Sequence, residues 1–135
     1  MLIRRKIGTS GKGLVEITSL VQEAVREAGL DKGLCTVFVQ HTSASLIIQE
    51  NADPAVARDL QAWLERTVPE NDPLYTHTQE GPDDMPSHIK GILTASSLAV
   101  PVADGSLMLG TWQGIFLWEH RTAPKRRHLV IHLSA

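Results

Sequence analysis

The fold is decided by the last third of the chain, where residues 99–133 read AVPVADGSLMLGTWQGIFLWEHRTAPKRRHLVIHL. Apolar and polar side chains alternate along much of this segment, which is typical of strands with one buried face. Asp104-Gly105 predicts a tight hairpin turn, because glycine accepts a positive φ. No helical pattern separates the extended runs, so the segment predicts an antiparallel or mixed sheet and not a parallel, doubly wound one. The four runs are 99–102, 107–109, 114–120 and 128–133.

Working outward, the first helix is expected shortly after the first strand. Thr18 or Ser19 is the candidate N-cap, and Gln22 stands three residues after Ser19, where it would complete a capping box. Apolar residues recur at helical spacing from Leu20 onward, and Gly29 suits the C-terminal end. The segment is therefore expected to form an amphipathic helix.

Two further helices begin where an acidic residue is followed by proline. Asp53-Pro54 starts a helix that Pro69 ends, and Asp84-Met85-Pro86 starts a shorter one that runs to about Ala95. Three helices and six or seven strands predict an α+β fold in which helices pack on an antiparallel or mixed sheet. The remaining strands are expected at 2–7, 34–40 and 46–48.

Size and composition indicate one globular domain spanning residues 1–135. Apolar residues make up 42% of the chain and charged residues 21%, a balance that excludes disorder. No repeat, low-complexity tract or linker interrupts the sequence. A chain of this length can bury roughly two thirds of its unfolded surface.

Charge and cysteine content limit the partners. The formal net charge of −2 leaves no basic footprint for nucleic acid or an anionic membrane, and the one compact basic cluster, Lys125-Arg126-Arg127, is too short for either. No apolar stretch approaches the ~20 residues of a membrane span. The single cysteine, Cys35, cannot form an internal disulfide, and charges stand where a signal peptide needs apolar residues. The expected location is the cytoplasm.

The loop before the third helix carries an unusual density of side chains that can bind metal. Imidazole nitrogens and carboxylate oxygens are the groups that hold zinc and other divalent cations. The alternative is a solvated polar loop in which Asp84 only caps a helix. The side chains concerned are Tyr75, His77, Glu80, Asp83, Asp84 and His88.

His41 ends an apolar strand and begins a run of small hydroxyl residues, which places it at a strand mouth where functional side chains are held rigidly. Its alternative is a histidine satisfied at a sheet edge. His88 is expected in the first turn of its helix, where backbone N–H groups also favour an anion. Lys90, two residues on, points elsewhere on a regular helix. We expect His41 and His88 to converge on one site.

The last strands hold further candidates. Glu119 shares a strand face with Arg121, so the two side chains are expected to pair; the carboxylate is either a general base in a cleft or part of a structural ion pair. The turn at 110–114 presents Trp112 and Gln113 to a ring and a polar ligand edge, unless the tryptophan belongs to the core. His128 and His132 lie on the polar face of their strand and are expected at the surface or an interface.

Several motifs together resemble the YjbQ-like, or UPF0047, family over nearly the whole chain. They are Gln40-His41-Thr42-Ser43-Ala44-Ser45-Leu46, Glu50-Asn51-Ala52-Asp53-Pro54, Asp84-Met85-Pro86-Ser87-His88-Ile89-Lys90 and Gly110-Thr111-Trp112-Gln113-Gly114-Ile115, with Glu119-His120-Arg121 after them. The resemblance implies an α+β sandwich that assembles as a homotrimer, with polar pockets near the subunit contacts. It also implies secondary thiamine-phosphate synthase activity. The family's polar positions correspond here to His41, Thr42, Asn51, Asp53, His77, Glu80, Asp84, His88, Lys90, Gln113, Glu119 and Arg121.

Three functions stay open at this point, all with a small-molecule partner. The first is a transferase of the thiamine-phosphate synthase type, with Lys90 and Arg121 neutralising a leaving diphosphate and Trp112 as the wall for a ring. The second is a metal-dependent hydrolase with Glu119 or Asp53 as base. The third is a trimeric binding protein with no activity. In each, a divalent cation, zinc or magnesium, is held by His41, His77 and His88 with Asp84 or Glu80.

Overall fold

The protein is an α+β sandwich of two antiparallel sheets and three helices, as the sequence predicts. The computed structural model describes all 135 residues. The five-stranded sheet has the order β1-β8-β3-β5-β6 and the three-stranded sheet the order β2-β7-β4, with every pairing antiparallel. The elements are β1 Leu2–Thr9, β2 Gly13–Glu16, α1 Thr18–Ala28, β3 Gly33–Val39, β4 Ala44–Glu50, α2 Pro54–Thr67, α3 Asp84–Leu93, β5 Ser97–Ala103, β6 Ser106–Leu107, β7 Gln113–Glu119 and β8 Lys125–Ser134.

The core lies between the two sheets, with α1 packed into it. A cluster of 17 buried apolar residues joins β1, β3, β4, β5, β7 and β8 to α1. Strand β7 is buried on both faces: Ile115 and Leu117 face this core, whereas Trp118 packs with Leu64 and Val68 of the α2 region. Helix α2 therefore covers the outer face of the small sheet, and burial on this scale supplies most of the stability.

The hairpin turn and the end of α1 were both predicted from single residues and are confirmed. Asp104 and Gly105 have φ of 52° and 74°, the two positive values that a tight hairpin between β5 and β6 requires. Gly29 ends α1 in the left-handed conformation, with φ of 63°. Both features depend on local backbone geometry alone.

The predicted capping box at the start of α1 is not formed. The N-cap position is Ile17, and no side chain caps the helix. The side chain of Gln22 instead extends from α1 to the β5–β6 hairpin. Its Nε2 donates to the Gly105 carbonyl at 3.0 Å, and its Oε1 accepts from the Leu107 N–H at 3.0 Å. A tertiary contact has replaced the local one.

The end of β7 and the start of β8 are joined by a buried ion pair that positions the functional region. Arg127 lies on the inward side of β8, together with Leu129 and Ile131, and pairs with Glu119 at the end of β7. The predicted pairing of Glu119 with Arg121 is therefore wrong. Because side chains alternate along β8, Arg127 is buried next to Glu119 and pairs with its carboxylate. The Arg121 side chain pairs with Asp83 and Asp84 instead.

Candidate functional site

A cleft of about 710 Å³ opens where α3 lies against the start of β4. The loop residues His41 and Thr42 lead into β4 on one side, and His88 of α3 stands on the other. Gly91 allows the helix to approach closely, since a Cβ there would lie 3.2 Å from the Thr42 carbonyl oxygen. The structure thus brings His41 and His88 to one cleft. It is lined by His41, Thr42, Ala44, His88, Gly91, Ile92, Thr94, Ala95 and Ser96.

His77, Asp84 and His88 form a compact group at the edge of this cleft, which we call the His–Asp–His cluster. The Oδ2 atom of Asp84 lies 2.6 Å from Nε2 of His77 and 3.1 Å from Nε2 of His88. The two imidazole centroids are 5.3 Å apart. All three ligand atoms fall within 4.8 Å of one another, so the cluster has the size and donor types of a metal site.

Asp84 is buried and held ionised. Burial alone would raise its pKa, but the hydrogen bond to His77 and the charges of His88 and Arg121 lower the pKa below its usual value. The Arg121 Nη1 donates to Oδ1 of Asp84 at 2.6 Å, which leaves Oδ2 to the histidines. The alternative in which Asp84 caps α3 is wrong, since no side chain caps this helix and the carboxylate faces the histidines.

The two ring nitrogens of His88 both face acceptors. Nδ1 lies 3.1 Å from the Thr42 carbonyl oxygen, and Nε2 lies 3.1 Å from the Asp84 carboxylate. A neutral imidazole carries one hydrogen, which can serve only one of these acceptors. In the neutral ring, one of the two nitrogens therefore faces an oxygen with its lone pair.

His41 has the opposite surroundings, because both of its ring nitrogens face donors. The His128 backbone N–H donates to Nε2 at 2.8 Å, and Nη1 of Arg127 lies 3.3 Å from Nδ1. Burial, followed by the charges of Arg127 and His128, lowers the pKa of His41, so the ring is neutral. The expectation that His41 joins His77 and His88 as a ligand is wrong for this arrangement: its free lone pair is already used, and Asp84 takes its place in the cluster.

Comparison with known proteins assigns the chain to a protein family. A family model described as UPF0047 protein YjbQ-like matches residues 4–135. The chain belongs to the YjbQ-like UPF0047 family. It is 53% identical over 128 residues to a UPF0047 protein of Synechocystis, covering 95% of this chain and 87% of the relative. It is also 48% identical over 102 residues to the UPF0047 protein YjbQ of Escherichia coli O157:H7, covering 76% and 73%.

Solved structures of YjbQ-like proteins share the fold. A YjbQ/UPF0047 family protein of Clostridium acetobutylicum superimposes with a TM-score of 0.90 at 38% identity, over 98% of this chain and 99% of that one. A conserved protein of Thermus thermophilus superimposes with a TM-score of 0.88 at 36% identity, over 98% and 99%. The two-sheet sandwich is thus the fold of the family. No helix of this YjbQ-like chain is both long and apolar enough to cross a membrane.

Glu119 is a structural carboxylate in this YjbQ-like fold, which corrects its expected role as a general base. Its side chain is fully buried and accepts five hydrogen bonds, from Thr9, from two nitrogens of Arg127 and from the backbone of His120 and Arg121. Burial alone would raise its pKa, but the bonds from Arg127 and Thr9 lower the pKa. A carboxylate without a free lone pair cannot take a proton from a substrate.

Lys90 lies outside the cleft. Its side chain is fully buried on the other side of α3, where Nζ pairs with Glu65 of α2. Glu65 is also bonded to Lys12 at 3.1 Å. Lys90 was expected to act on substrate, but its ammonium group anchors α3 to α2 and has no access to the cleft. This placement agrees with its position two residues after His88, which turns it to another face of the helix.

Four other predicted site residues lie at the far end of the small sheet. Strand β4 runs seven residues from Ala44, beside the cleft, to Glu50, a distance of ~20 Å at strand rise. Beyond it, Asn51 donates to Glu16 at 3.0 Å, and Asp53 caps α2 by accepting from the Ala55 N–H at 2.9 Å. The same end holds Gln113, which accepts from the Gly110 N–H, and Trp112, which is 63% exposed. Within one chain these residues do not adjoin the His–Asp–His cluster.

Sequence reasoning missed how Asp83 and Arg127 contribute to the site. Asp83 binds Arg121 at 3.1 Å and the Thr122 N–H at 2.8 Å, and thereby fixes the guanidinium that holds Asp84. Glu80, a predicted ligand, is exposed nearby, and its carbonyl oxygen accepts from Arg121. Arg127 had been assigned to a surface basic cluster. The alternation of β8, which puts Arg127 on the side of Leu129, was the signal that could have found it.

Proposed function

We propose that the His–Asp–His cluster binds a divalent cation, with zinc the best match. The observation that carries the proposal is that each ring nitrogen of His88 faces an acceptor oxygen. Nδ1 lies 3.1 Å from the Thr42 carbonyl, and Nε2 lies 3.1 Å from the Asp84 carboxylate. When the hydrogen of the neutral ring is on Nδ1, the lone pair of Nε2 faces a carboxylate oxygen. A cation held by both atoms would replace this repulsion with two favourable bonds.

The donor set fits zinc. Two imidazole nitrogens and one carboxylate oxygen, with further positions open, are typical of zinc sites that act on substrates. The three atoms lie within 4.8 Å of one another, and neighbouring ligands on a tetrahedral ion with ~2.1 Å bonds are ~3.4 Å apart, so small side-chain movements would let all three reach one ion. Magnesium is the second choice, because it prefers oxygen ligands and keeps its waters.

The neighbours of the cluster support the same proposal. Metal-binding histidines usually donate their other N–H to a carbonyl or carboxylate, which fixes the tautomer and the ring orientation. The Thr42 carbonyl serves His88 in this way, and Arg121 fixes Asp84 through Oδ1 at 2.6 Å. These two contacts preorganise a ligand set even before an ion arrives.

We propose that the cation acts on a small molecule bound in the cleft. A zinc ion would supply Lewis-acid polarisation of an oxygen atom there. His88 would hold the ion on the side that faces the cleft, and the exposed Glu80 lies near the cluster, where its carboxylate is open to solvent. Hydrolysis of a small substrate is the reaction class that this arrangement favours, with Glu80 replacing Glu119 and Asp53 as the candidate base.

The direct test is metal content. Purified protein is stripped with EDTA, supplied with zinc, washed and analysed for metal; we expect about one zinc per chain. His88→Ala should lose most of it with the fold intact, whereas His132→Ala, which removes an exposed imidazole from β8, should keep it. His132 is a better control than His128, whose ring lies 5.5 Å from that of His41. Equal zinc in both variants would refute the cation site.

A transferase of the thiamine-phosphate synthase type is the second candidate. The motif resemblance suggests it, and the cleft volume of about 710 Å³ is within the ~300–1,000 Å³ of sites for small organic ligands. Against it, Lys90 and Arg121 are already paired with Glu65 and with Asp83 and Asp84. The assay supplies the aminopyrimidine methyl diphosphate and thiazole phosphate to zinc- and magnesium-loaded protein. No thiamine phosphate with either metal excludes this activity, and zinc binding without any turnover favours a binding protein.

We also propose a cytoplasmic homotrimer, as the resemblance and the lone cysteine suggested. Large apolar side chains that a monomer seldom leaves bare support an assembly: Ile92 is 82% exposed and Trp112 63%. Light scattering at micromolar concentration tests it, and a monomer mass would refute it.

A further inference from the structure

We propose that Arg127 and its neighbour His41, which lines the cleft, form an anion subsite that binds a carboxylate or phosphoryl oxygen of the ligand. The inference rests on the proposed function for the cleft as the ligand site. It adds the chemical class of that ligand, a small molecule with an anionic group.

The first observation is an incomplete hydrogen-bond set on Arg127, which is 4% exposed. A guanidinium has five N–H donors. Nε donates to Oε1 of Glu119 at 2.7 Å, and Nη2 donates to Oε2 of Glu119 and to the Ser43 carbonyl. Nη1 carries two hydrogens, and its single polar neighbour is Nδ1 of His41 at 3.3 Å.

The second observation is that His41 cannot accept at that atom. Its Nε2 already accepts from the His128 backbone N–H at 2.8 Å, and a neutral imidazole has only one acceptor nitrogen. The ring hydrogen must therefore sit on Nδ1, facing the N–H groups of Arg127. Two donors that converge without an acceptor, one of them on a nine-tenths buried cation, mark a place for an acceptor from outside the chain.

The charge of the surroundings decides which acceptor fits. The nine residues that line the cleft include no carboxylate, and Asp84 at its edge is paired with Arg121. The one acid in contact with Arg127, Glu119, is saturated with donors. The hydroxyl groups of Thr42, Thr94 and Ser96 line the same cleft and can donate to further oxygens. Charge-assisted hydrogen bonds from guanidinium to carboxylate or phosphate are the strong partners for such a donor set.

The experiment uses the full-length protein freed of metal with EDTA, so that the result does not depend on the cation site. Inorganic phosphate and acetate are titrated at constant ionic strength, with chloride as the balancing anion, and binding is followed by calorimetry and by the ¹⁵N shifts of the His41 ring. We expect saturable binding of at least one of the two anions, together with an Nδ1–H tautomer of His41. The stronger anion tells whether a phosphoryl or a carboxylate group is preferred.

The variants separate this subsite from unspecific binding. His41→Phe and Arg127→Lys should each weaken the preferred anion at least tenfold, whereas His132→Phe should leave its affinity unchanged. Should Arg127→Lys fail to fold, the half-exposed His41 still provides the test. Undiminished affinity in His41→Phe, an Nε2–H tautomer, or no saturable anion binding would each overturn the subsite. Anion binding without zinc binding would refute the proposed cation site and leave the anion subsite supported.

Discussion

Acidification from pH 7 to pH 5 should destabilise the protein through His120. The imidazole is fully buried next to β4: Nε2 lies 2.8 Å from the Ser45 hydroxyl, and Nδ1 has no hydrogen-bond partner. Burial, and then the charge of Lys90, lowers the pKa of His120 to about 3. In the unfolded chain the pKa of histidine returns to about 6.5.

The size and sign of the effect follow from these two pKa values. Below pH 6.5 the unfolded chain binds a proton that folded His120 refuses, so its contribution is fully present above pH 6.5 and is lost as the pH falls toward 3. The whole loss is roughly 5 kcal/mol, and the part between pH 7 and pH 5 is roughly 2 kcal/mol. The lowered pKa values of Asp84 and Glu119 act in a different window, because their stabilisation is lost only as the pH falls below about 4.5.

Urea unfolding at pH 7, 6 and 5, with EDTA and at fixed protein concentration, measures this loss. His120→Gln removes the titrating group and keeps a polar side chain near Ser45. The loss of unfolding free energy between pH 7 and pH 5 should be about 2 kcal/mol smaller in this variant than in the wild type. His41, whose pKa is also lowered, leaves both proteins a smaller shared slope. His132→Gln, an exposed control, should behave as the wild type, and equal slopes in His120→Gln and wild type would refute the reasoning.

Three further results are expected. Glu119→Ala leaves the Arg127 charge buried without its partner and should lower the free energy of unfolding by ~3–5 kcal/mol in urea titrations; a loss under 1 kcal/mol would mean that the pair is not buried in solution. Arg121→Gln releases the carboxylate that it orients and should weaken zinc binding ~10–100-fold by competition with a chelator, with unchanged affinity as the contrary outcome. Gly33→Ala places a Cβ against the Ser134 backbone at a φ of 156° and should cost ~1–3 kcal/mol, whereas Gly8→Ala, with nothing within 4 Å, should stay within ~0.5 kcal/mol; equal effects would contradict the packing.

Features that depend on neighbours in sequence were predicted well. The positive φ values at Asp104 and Gly105, the left-handed end of α1 at Gly29 and the alternation of β8 all follow from local geometry. Asp53 also caps α2 as expected. These signals are strong because each involves a backbone conformation that few residues adopt, or a period that one buried face enforces.

Features that depend on which distant side chains meet were predicted poorly. Gln22 could cap its own helix or hold a hairpin 83 residues away, and the sequence favours the nearer option. Glu119 had two arginines within reach on its own side of the sheet, and the burial of Arg127 decided between them. The spacing of the histidines likewise left the choice of ligands open, because packing of α3 against β4 determines that Asp84, and not His41, completes the cluster.

Gly91 makes the width of the cleft depend on an absent side chain. With its Cβ position only 3.2 Å from the Thr42 carbonyl, this residue sets how near α3 can come to the loop that precedes β4. The same carbonyl orients His88, three residues earlier on the helix. A methyl group at position 91 would move α3 away from the loop by a few tenths of an ångström. The same movement would lengthen the contact between the His88 imidazole and the Thr42 carbonyl. Cleft width and the orientation of His88 are therefore coupled in this fold, and a variant with a wider cleft at this position should also bind the proposed cation more weakly.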